Sequence, residues 1–287
     1  MSQFNPLDFD SLWDYSNPVQ TEIKFREVIK QIPDNDSVYL EMLTQIARTQ
    51  GLQRKFEDAH QTLDEVEKNL EENSRAKLRY LLERGRVFNS SKQPDKSRSL
   101  FEEAFKLAKK RNEDFYAVDA LHMLAIVADP ADSLPLNLQA IAYAESSPDE
   151  KARGWLGSLY NNTGWSYHDL GDYESALKIF EKAEAFFNSM NETRRLKIAT
   201  WTVARCLRSL NRVEEALSKQ MELLKEFEAI GETDGYVFEE IGECLLLLNQ
   251  KEEARPMFAK AYEELSQDGF LVDNEHERLK RLKELGN

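Results

Sequence analysis

Residues 159–187, LYNNTGWSYHDLGDYESALKIFEKAEAFF, carry two runs of apolar positions at helical spacing with a break between them. Tyr160, Gly164 and Tyr167 recur after four and then three residues, so they share one helix face. Leu170-Gly171-Asp172 interrupts the run. Glycine can end one helix, and an aspartate can cap the next. Tyr173, Ala176, Leu177, Phe180 and Ala183 then mark the apolar face of a second helix. Small Gly164 and Ala176 let the two helices approach, and the aromatics fill the remaining space. The pattern predicts a helical hairpin whose inner face alternates large and small.

With Ala176 as anchor, equivalent positions follow along the chain: Ala59, Ser97, a weaker Asn137, Ala176, Ala216 and Ala254, separated by 38, 40, 39, 40 and 38 residues. Twelve residues before each anchor stand Ala47, Gly85, Ala125, Gly164, Ala204 and Gly242, all of them Gly or Ala. Four residues after the anchors stand Leu63, Phe101, Ile141, Phe180, Gln220 and Phe258. A period near 39 carried through six units is the signature of a solenoid.

The stretch 159–187 resembles a tetratricopeptide repeat on Tyr160, Gly164, Tyr167, Gly171-Asp172-Tyr173, Ala176, Phe180 and Ala183. The period exceeds the usual ~34 residues of that repeat, which implies helices longer by about a turn. Units of this length resemble those of bacterial peptide-sensing regulators and of cargo-binding arrays in some motor proteins. The resemblance covers residues 20–266. The fold it implies is all-α: a right-handed α-α superhelical solenoid of six helical hairpins, with an N-terminal half-unit and a C-terminal capping helix.

The expected units are 37–73, 75–111, 114–147, 150–189, 192–230 and 233–267, in a single solenoid over 20–287. In the third, Pro130 and Pro135 bracket the turn, so its second helix is expected to be short or displaced. In the fourth, the first helix is expected over 150–170. Residues 273–285 read as a capping helix with charge on most faces. Residues 1–19 form an acidic, aromatic tail containing Phe4, Leu7, Phe9, Leu12, Trp13 and Tyr15. That tail reads as a cap over the first hairpin, with the alternatives of a short recognition motif or a segment that occupies the protein's own groove.

Composition narrows the function. A net charge of −14 disfavours nonspecific binding to nucleic acid or anionic membrane, since both need clustered Lys and Arg. No apolar run approaches the ~18 residues of a membrane span. The first residues lack the basic start and apolar core of a secretion signal, so a cytoplasmic location is the default expectation. Two cysteines, Cys206 and Cys244, are too few for a disulfide framework. They occupy the same site in successive units, where Thr49, Val87, Val127 and Ser166 stand elsewhere, and so read as small packing residues.

No enzyme motif is present: no phosphate loop, no nucleophile elbow and no paired-histidine metal motif. The four histidines are dispersed, so neither a metal nor a cofactor is expected. Carboxylate pairs such as Glu214-Glu215, Glu239-Glu240 and Glu252-Glu253 read as helix-start or outer-face groups that favour the helix dipole and solubility.

The tetratricopeptide resemblance implies that the first helix of each unit lines the concave side, with the residue three before the small Gly or Ala and the one just after it facing inward. The inner pairs are then Thr44/Arg48, Leu82/Arg86, His122/Ile126, Asn161/Trp165, Trp201/Arg205 and Glu239/Glu243, and a further turn adds Asn89, His168 and Arg208. The candidate groove is therefore Arg48, Arg86, His122, Asn161, Asn162, Trp165, His168, Trp201, Arg205 and Arg208. Arginines supply positive charge, asparagines can hold a peptide backbone, and Trp and Arg are common interface anchors. None of the pairs is Lys/Asn, so the family's clamp for chaperone C-termini is not expected. The alternatives are that the tryptophans only fill a tight superhelix and that the arginines pair with glutamates on neighbouring helices.

These features point to a non-catalytic scaffold that binds a protein or peptide segment, acidic or carboxylate-bearing, with no nucleic acid or membrane partner and the oligomeric state open. The second reading is a sensor of a small ligand or signal peptide that changes superhelix pitch and acts through a separate effector.

Overall fold

The structure, a computed structural model, describes residues 6–34 and 36–287. Every regular element among them is helical. The chain divides into two compact units, residues 6–155 and 156–287. No helix among the described residues is long and apolar enough to cross a membrane.

The first unit opens with a 3-10 helix, Pro6–Leu12, followed by α1 (Pro18–Val28). Three hairpins follow: α2 (Ser37–Leu52) with α3 (Phe56–Glu67), α4 (Arg75–Ser90) with α5 (Pro94–Arg111), and α6 (Asp114–Val127) with α7 (Pro130–Ser146). A short α8 (Glu150–Arg153) ends the unit. The second unit contains α9 (Leu156–Asp169) with α10 (Tyr173–Ser189), α11 (Thr193–Ser209) with α12 (Val213–Glu228), and α13 (Gly235–Leu247) with α14 (Lys251–Leu265). It closes with α15 (Gly269–Asn274) and α16 (His276–Gly286).

One turn design recurs. Five residues before the anchor the backbone is left-handed, at Arg54 (φ 62°), Lys92 (63°), Gly171 (77°), Asn211 (59°) and Asn249 (62°). The next residue's N–H then bonds back to the helix just ended, as Asp172 does to the Tyr167 carbonyl at 3.0 Å and Arg212 to that of Leu207 at 2.9 Å. This satisfies carbonyls that a helix end leaves open.

The hairpins close on volume matching. Where the small residue is glycine, the facing residue is phenylalanine: Gly85 on Phe101, Gly164 on Phe180 and Gly242 on Phe258. A methyl on Gly242 would sit 2.9 Å from the Phe258 ring, closer than carbon atoms tolerate. Where the small residue is Ala47, Ala125 or Ala204, the equivalent facing position holds the smaller Leu63, Ile141 or Gln220.

Two expectations need correction. The second helix of the third hairpin is not short. It runs the full 17 residues from Pro130 to Ser146. Pro130 stands at the helix start, where the missing N–H costs nothing, and Pro135 forfeits one bond early in the helix without ending it. Nor is 150–170 one helix. It breaks at Gly154-Trp155, and the Trp155 ring packs on His122 (5.2 Å between centroids) and Phe115 (6.0 Å).

The terminal helix α16 is amphipathic in effect. Leu279 and Leu282 are buried against the α13–α14 hairpin, while its arginines reach acidic residues of α13. Of the apolar residues in the N-terminal tail, Phe4 lies outside the described residues. Phe9 is buried, with its ring edge-on to Phe25 at 6.3 Å.

Candidate functional site

The ten candidate residues fall into two sets, one in each unit. In the first unit, Arg48, Arg86 and His122 lie on the inner face of α2, α4 and α6. This face is closed by ion pairs. Arg48 reaches Glu83 at 3.1 Å, and Arg86 reaches Glu83 at 2.8 Å and also Asp119. Arg79 pairs with Glu41 at 3.1 Å. Burial works against the charge on Arg79, but Tyr116, Asp10 and Glu41 hold its pKa above the ordinary arginine value. His122 is half-buried, and burial lowers its pKa.

The N-terminal segment lies on this same face. Asp10 accepts from Arg79 (Nη1 to Oδ1, 3.0 Å), and the Trp13 indole N–H donates to Gln45 at 3.1 Å. Tyr15 stacks on Trp13 at 4.6 Å and receives the Arg48 guanidinium at 5.8 Å. Phe9 and Trp13 pack edge-on against Phe25 of the first helix, Asp10 binds Arg79, and Tyr15 lies beside the Arg48 guanidinium.

The second unit gathers Asn161, Asn162, Trp165 and His168 from α9 with Trp201, Arg205 and Arg208 from α11. Trp165, Trp201 and Tyr236 step from helix to helix, with centroids 6.4 and 6.1 Å apart. The Arg205 guanidinium lies 5.9 Å from the Trp165 ring centre and 6.0 Å from that of Trp201, close enough for cation–π attraction. Its charge is also met by Glu240 at 2.6 Å, and the same carboxylate holds Arg208 at 2.7 Å. Trp201 satisfies its indole N–H on the Tyr236 carbonyl at 3.1 Å and presents its ring. His168 pairs through Nε2 with Ser209 at 2.9 Å, and burial, with help from Arg205, lowers its pKa. Asn161 is half-buried, and its side chain makes no hydrogen bond among the described residues. Asn162 accepts from Ser166 through its main-chain carbonyl at 3.1 Å, leaving its own amide group available.

The carboxylates that meet these arginines are the neighbouring-helix glutamates of the alternative reading. Glu83 and Glu240 each stand two residues before the small Gly of their helix. Each lies 35 residues after the arginine it binds, Arg48 or Arg205. That repeated Arg-to-Glu interval was visible in the sequence. Glu239 and Glu240 are not helix-start or outer-face groups. They are 8% and 3% exposed, in the middle of α13, and Glu239 binds Arg278 of α16 at 2.5 Å.

A second feature adjoins the aromatic steps. A cavity of about 810 Å³ opens between the start of α11, the end of α12 and the start of α13. Trp201 and Tyr236 line it together with Phe227, Ile198, Ile230 and the buried Lys197. Cys206 and Cys244 are buried and unpaired, and burial raises their thiol pKa values to about 11 and about 12. Nucleophilic use of a thiol requires the opposite shift.

A sequence profile of the tetratricopeptide repeat matches residues 157–185. No curated protein matches the chain by sequence. Solved structures match it by fold. Apo RapI superposes with a TM-score of 0.74 at 14% identity, over 92% of this chain and 76% of that one. A signal-transduction ATPase with a tetratricopeptide repeat sensor, from Pyrococcus horikoshii, gives 0.72 at 14% identity, over 92% of this chain and 43% of that one. NprR in complex with its cognate peptide NprX gives 0.54 at 16% identity, over 99% and 83%. At these identities the likeness is one of fold. One tetratricopeptide repeat is thus matched, at residues 157–185, and the described residues form all-α hairpins like those of tetratricopeptide-type solenoid structures, with a sequence period near 39 residues.

Proposed function

We propose that this protein is a non-catalytic binding scaffold, and that the inner face of its second unit receives a peptide segment of a partner. The observation that carries this reading is the contrast in occupancy. In the first unit the inner face is covered by the chain's own residues 9–15. In the second, Trp165, Trp201 and Tyr236 form a run of rings, the Asn161 amide makes no hydrogen bond among the described residues, and Ile198 is 55% exposed. Aromatic faces bury the partner's apolar side chains, and an asparagine amide donates to and accepts from its backbone at once. A peptide-bound neighbour of this fold, NprR with NprX, supports the class of ligand.

Arg205 and Arg208 share the one carboxylate of Glu240, so each guanidinium is already engaged and only part of their charge is left for a ligand. The reading therefore favours aromatic and aliphatic anchors over an acidic motif. Selection from a displayed peptide library on the full-length protein tests it. Selected peptides should bind Trp165→Ala at least about tenfold more weakly, and Asn161→Ala, a milder change, several-fold more weakly. Peptides that bind both variants as well as the parent would refute the site. The sensor reading differs in outcome. It calls for a change in solution dimensions on peptide binding, measurable by small-angle scattering.

A further inference from the structure

The residue seven before the small Gly or Ala is Leu40, Leu78, Val118, Gly157 and Gly235 in five of the six units, and Lys197 in the remaining one. This position meets the far end of the second helix. Gly157 packs against Phe187, and Gly235 packs against Leu265. In α11 the lysine takes that place, over the ring of Phe227 with Nζ 3.9 Å from its centre. It is only 8% exposed. Its one hydrogen-bond acceptor is the Glu226 main-chain carbonyl at 3.5 Å, and no carboxylate among the described residues pairs with it. A buried ammonium with so little compensation is costly and calls for an anion.

The cavity beside it fits an amphiphilic guest. Leu223 and Val237, 2% and 1% exposed, lie at its base, and Ile198 and Ile230, 55% and 60% exposed, lie at its mouth. Its volume is in the range of small-ligand sites. Four charged residues line it: Lys197, Arg194, Glu232 and Asp234. Asp234 is already engaged, accepting the N–H groups of Tyr236 (2.9 Å) and Val237 (3.3 Å) at the start of α13. Glu232 is solvent-exposed. The uncompensated charge inside the cavity is thus the ammonium, and the favoured guest is an anion rather than a cation.

We infer that this cavity is a ligand site for an apolar group bearing a carboxylate, with Lys197 holding the carboxylate and the Phe227–Ile230–Tyr236 walls the apolar part. The cavity shares Ile198, Trp201 and Tyr236 with the proposed peptide face, whereas Lys197, Phe227 and Ile230 belong to the cavity and Asn161 and Trp165 to the peptide face. Two sources share this chemistry: a free medium-chain or aryl acid, and the carboxy-terminal residue of a peptide.

The test titrates the full-length protein with decanoate, with acetyl-Leu-Phe, and with the amide of each, reading calorimetry and the fluorescence of Trp201, which lines the cavity. At least one acid should bind with 1:1 stoichiometry and its amide about tenfold more weakly. Lys197→Met should cost about tenfold in affinity for that acid, while melting at or above the parent's temperature. Tighter binding of decanoate would assign the free acid, and tighter binding of acetyl-Leu-Phe the peptide terminus. Either supports the site. Absence of binding by both acids, equal binding of acid and amide, or an unchanged affinity in Lys197→Met would overturn it. Asn161→Ala lies outside this cavity and leaves the titration unaltered, so loss of peptide binding and loss of acid binding are separable.

Discussion

The two inner faces are built on the same helix register and end in opposite states. Six residues before the small Gly or Ala, the first unit has Glu41, Arg79 and Asp119, all charged and all buried. The second has Ser158, Ile198 and Tyr236 at the same positions. In the first, charge is paired on neighbouring helices and sealed by the chain's own aromatic and acidic segment. In the second, apolar and aromatic groups remain available. The repeat therefore fixes where the inner face is but not whether it is free. That is decided by a few positions that the hairpin core does not use.

The largest expected effect breaks the sealed side of this comparison. Phe9→Ala removes a side chain that is 2% exposed and packs on Phe25. It should destabilise the first unit by about 3–5 kcal/mol, read by chemical denaturation, while hydrogen exchange in residues 156–287 stays as in the parent. Next is the hairpin closure. Gly164→Ala drives a methyl into the Phe180 ring and should cost about 1–3 kcal/mol. Adding Phe180→Leu recreates the Ala–Leu match of Ala47 and Leu63, so the double variant should be more stable than the sum of the single changes implies. A near-additive cycle would contradict volume matching.

Lys197→Met acts in the other direction. Removing a poorly compensated buried ammonium should raise the melting temperature by a few degrees, about 1 kcal/mol in a chain of this size. A fall of similar size would mean that the lysine contributes to the fold.

The smallest effect is on pH dependence. His60, His122 and His168 all have pKa values below 6.5, with burial the main cause. The unfolded chain then binds more protons than the folded one between those lowered values and 6.5, so stability rises with pH across that window. It should be lost as pH falls below about 6.5 and through the lowered folded-state values. His60 and His122 belong to the first unit and His168 to the second, so the first should lose more. Glu41 and Asp234, raised mainly by burial, act in the opposite sense, but near the carboxylate range at lower pH. Thermal melts at about pH 7.5 and 6.0 on the parent and on His122→Leu check the sign.

The hairpins were legible in the sequence because backbone packing repeats. Gly164, Ala176 and Phe180 are constrained by how near two helices must come, and the same constraint recurs every 38–40 residues. The helix register was legible, and Trp165, Trp201 and Arg205 lie together in the structure as that register implies. The charge pairing was legible only as an alternative, since the 35-residue interval from Arg48 to Glu83 and from Arg205 to Glu240 becomes an ion pair only once the helices are stacked. Pro130 was read as a breaker because its place at the start of α7 depends on where the preceding turn ends. Lys197 was available in principle, as a lysine in a column of leucine, valine and glycine. Only the helix-end geometry shows that it is buried beside a cavity rather than extended to solvent.

Hydrogen exchange of the full-length protein with and without a library-selected peptide tests the central contrast most directly. The account expects new protection in residues 158–168 and 198–208, with residues 41–48 and 79–86 unchanged. Protection confined to 41–48 and 79–86, with displacement of the N-terminal segment, would place the binding face in the first unit and contradict it.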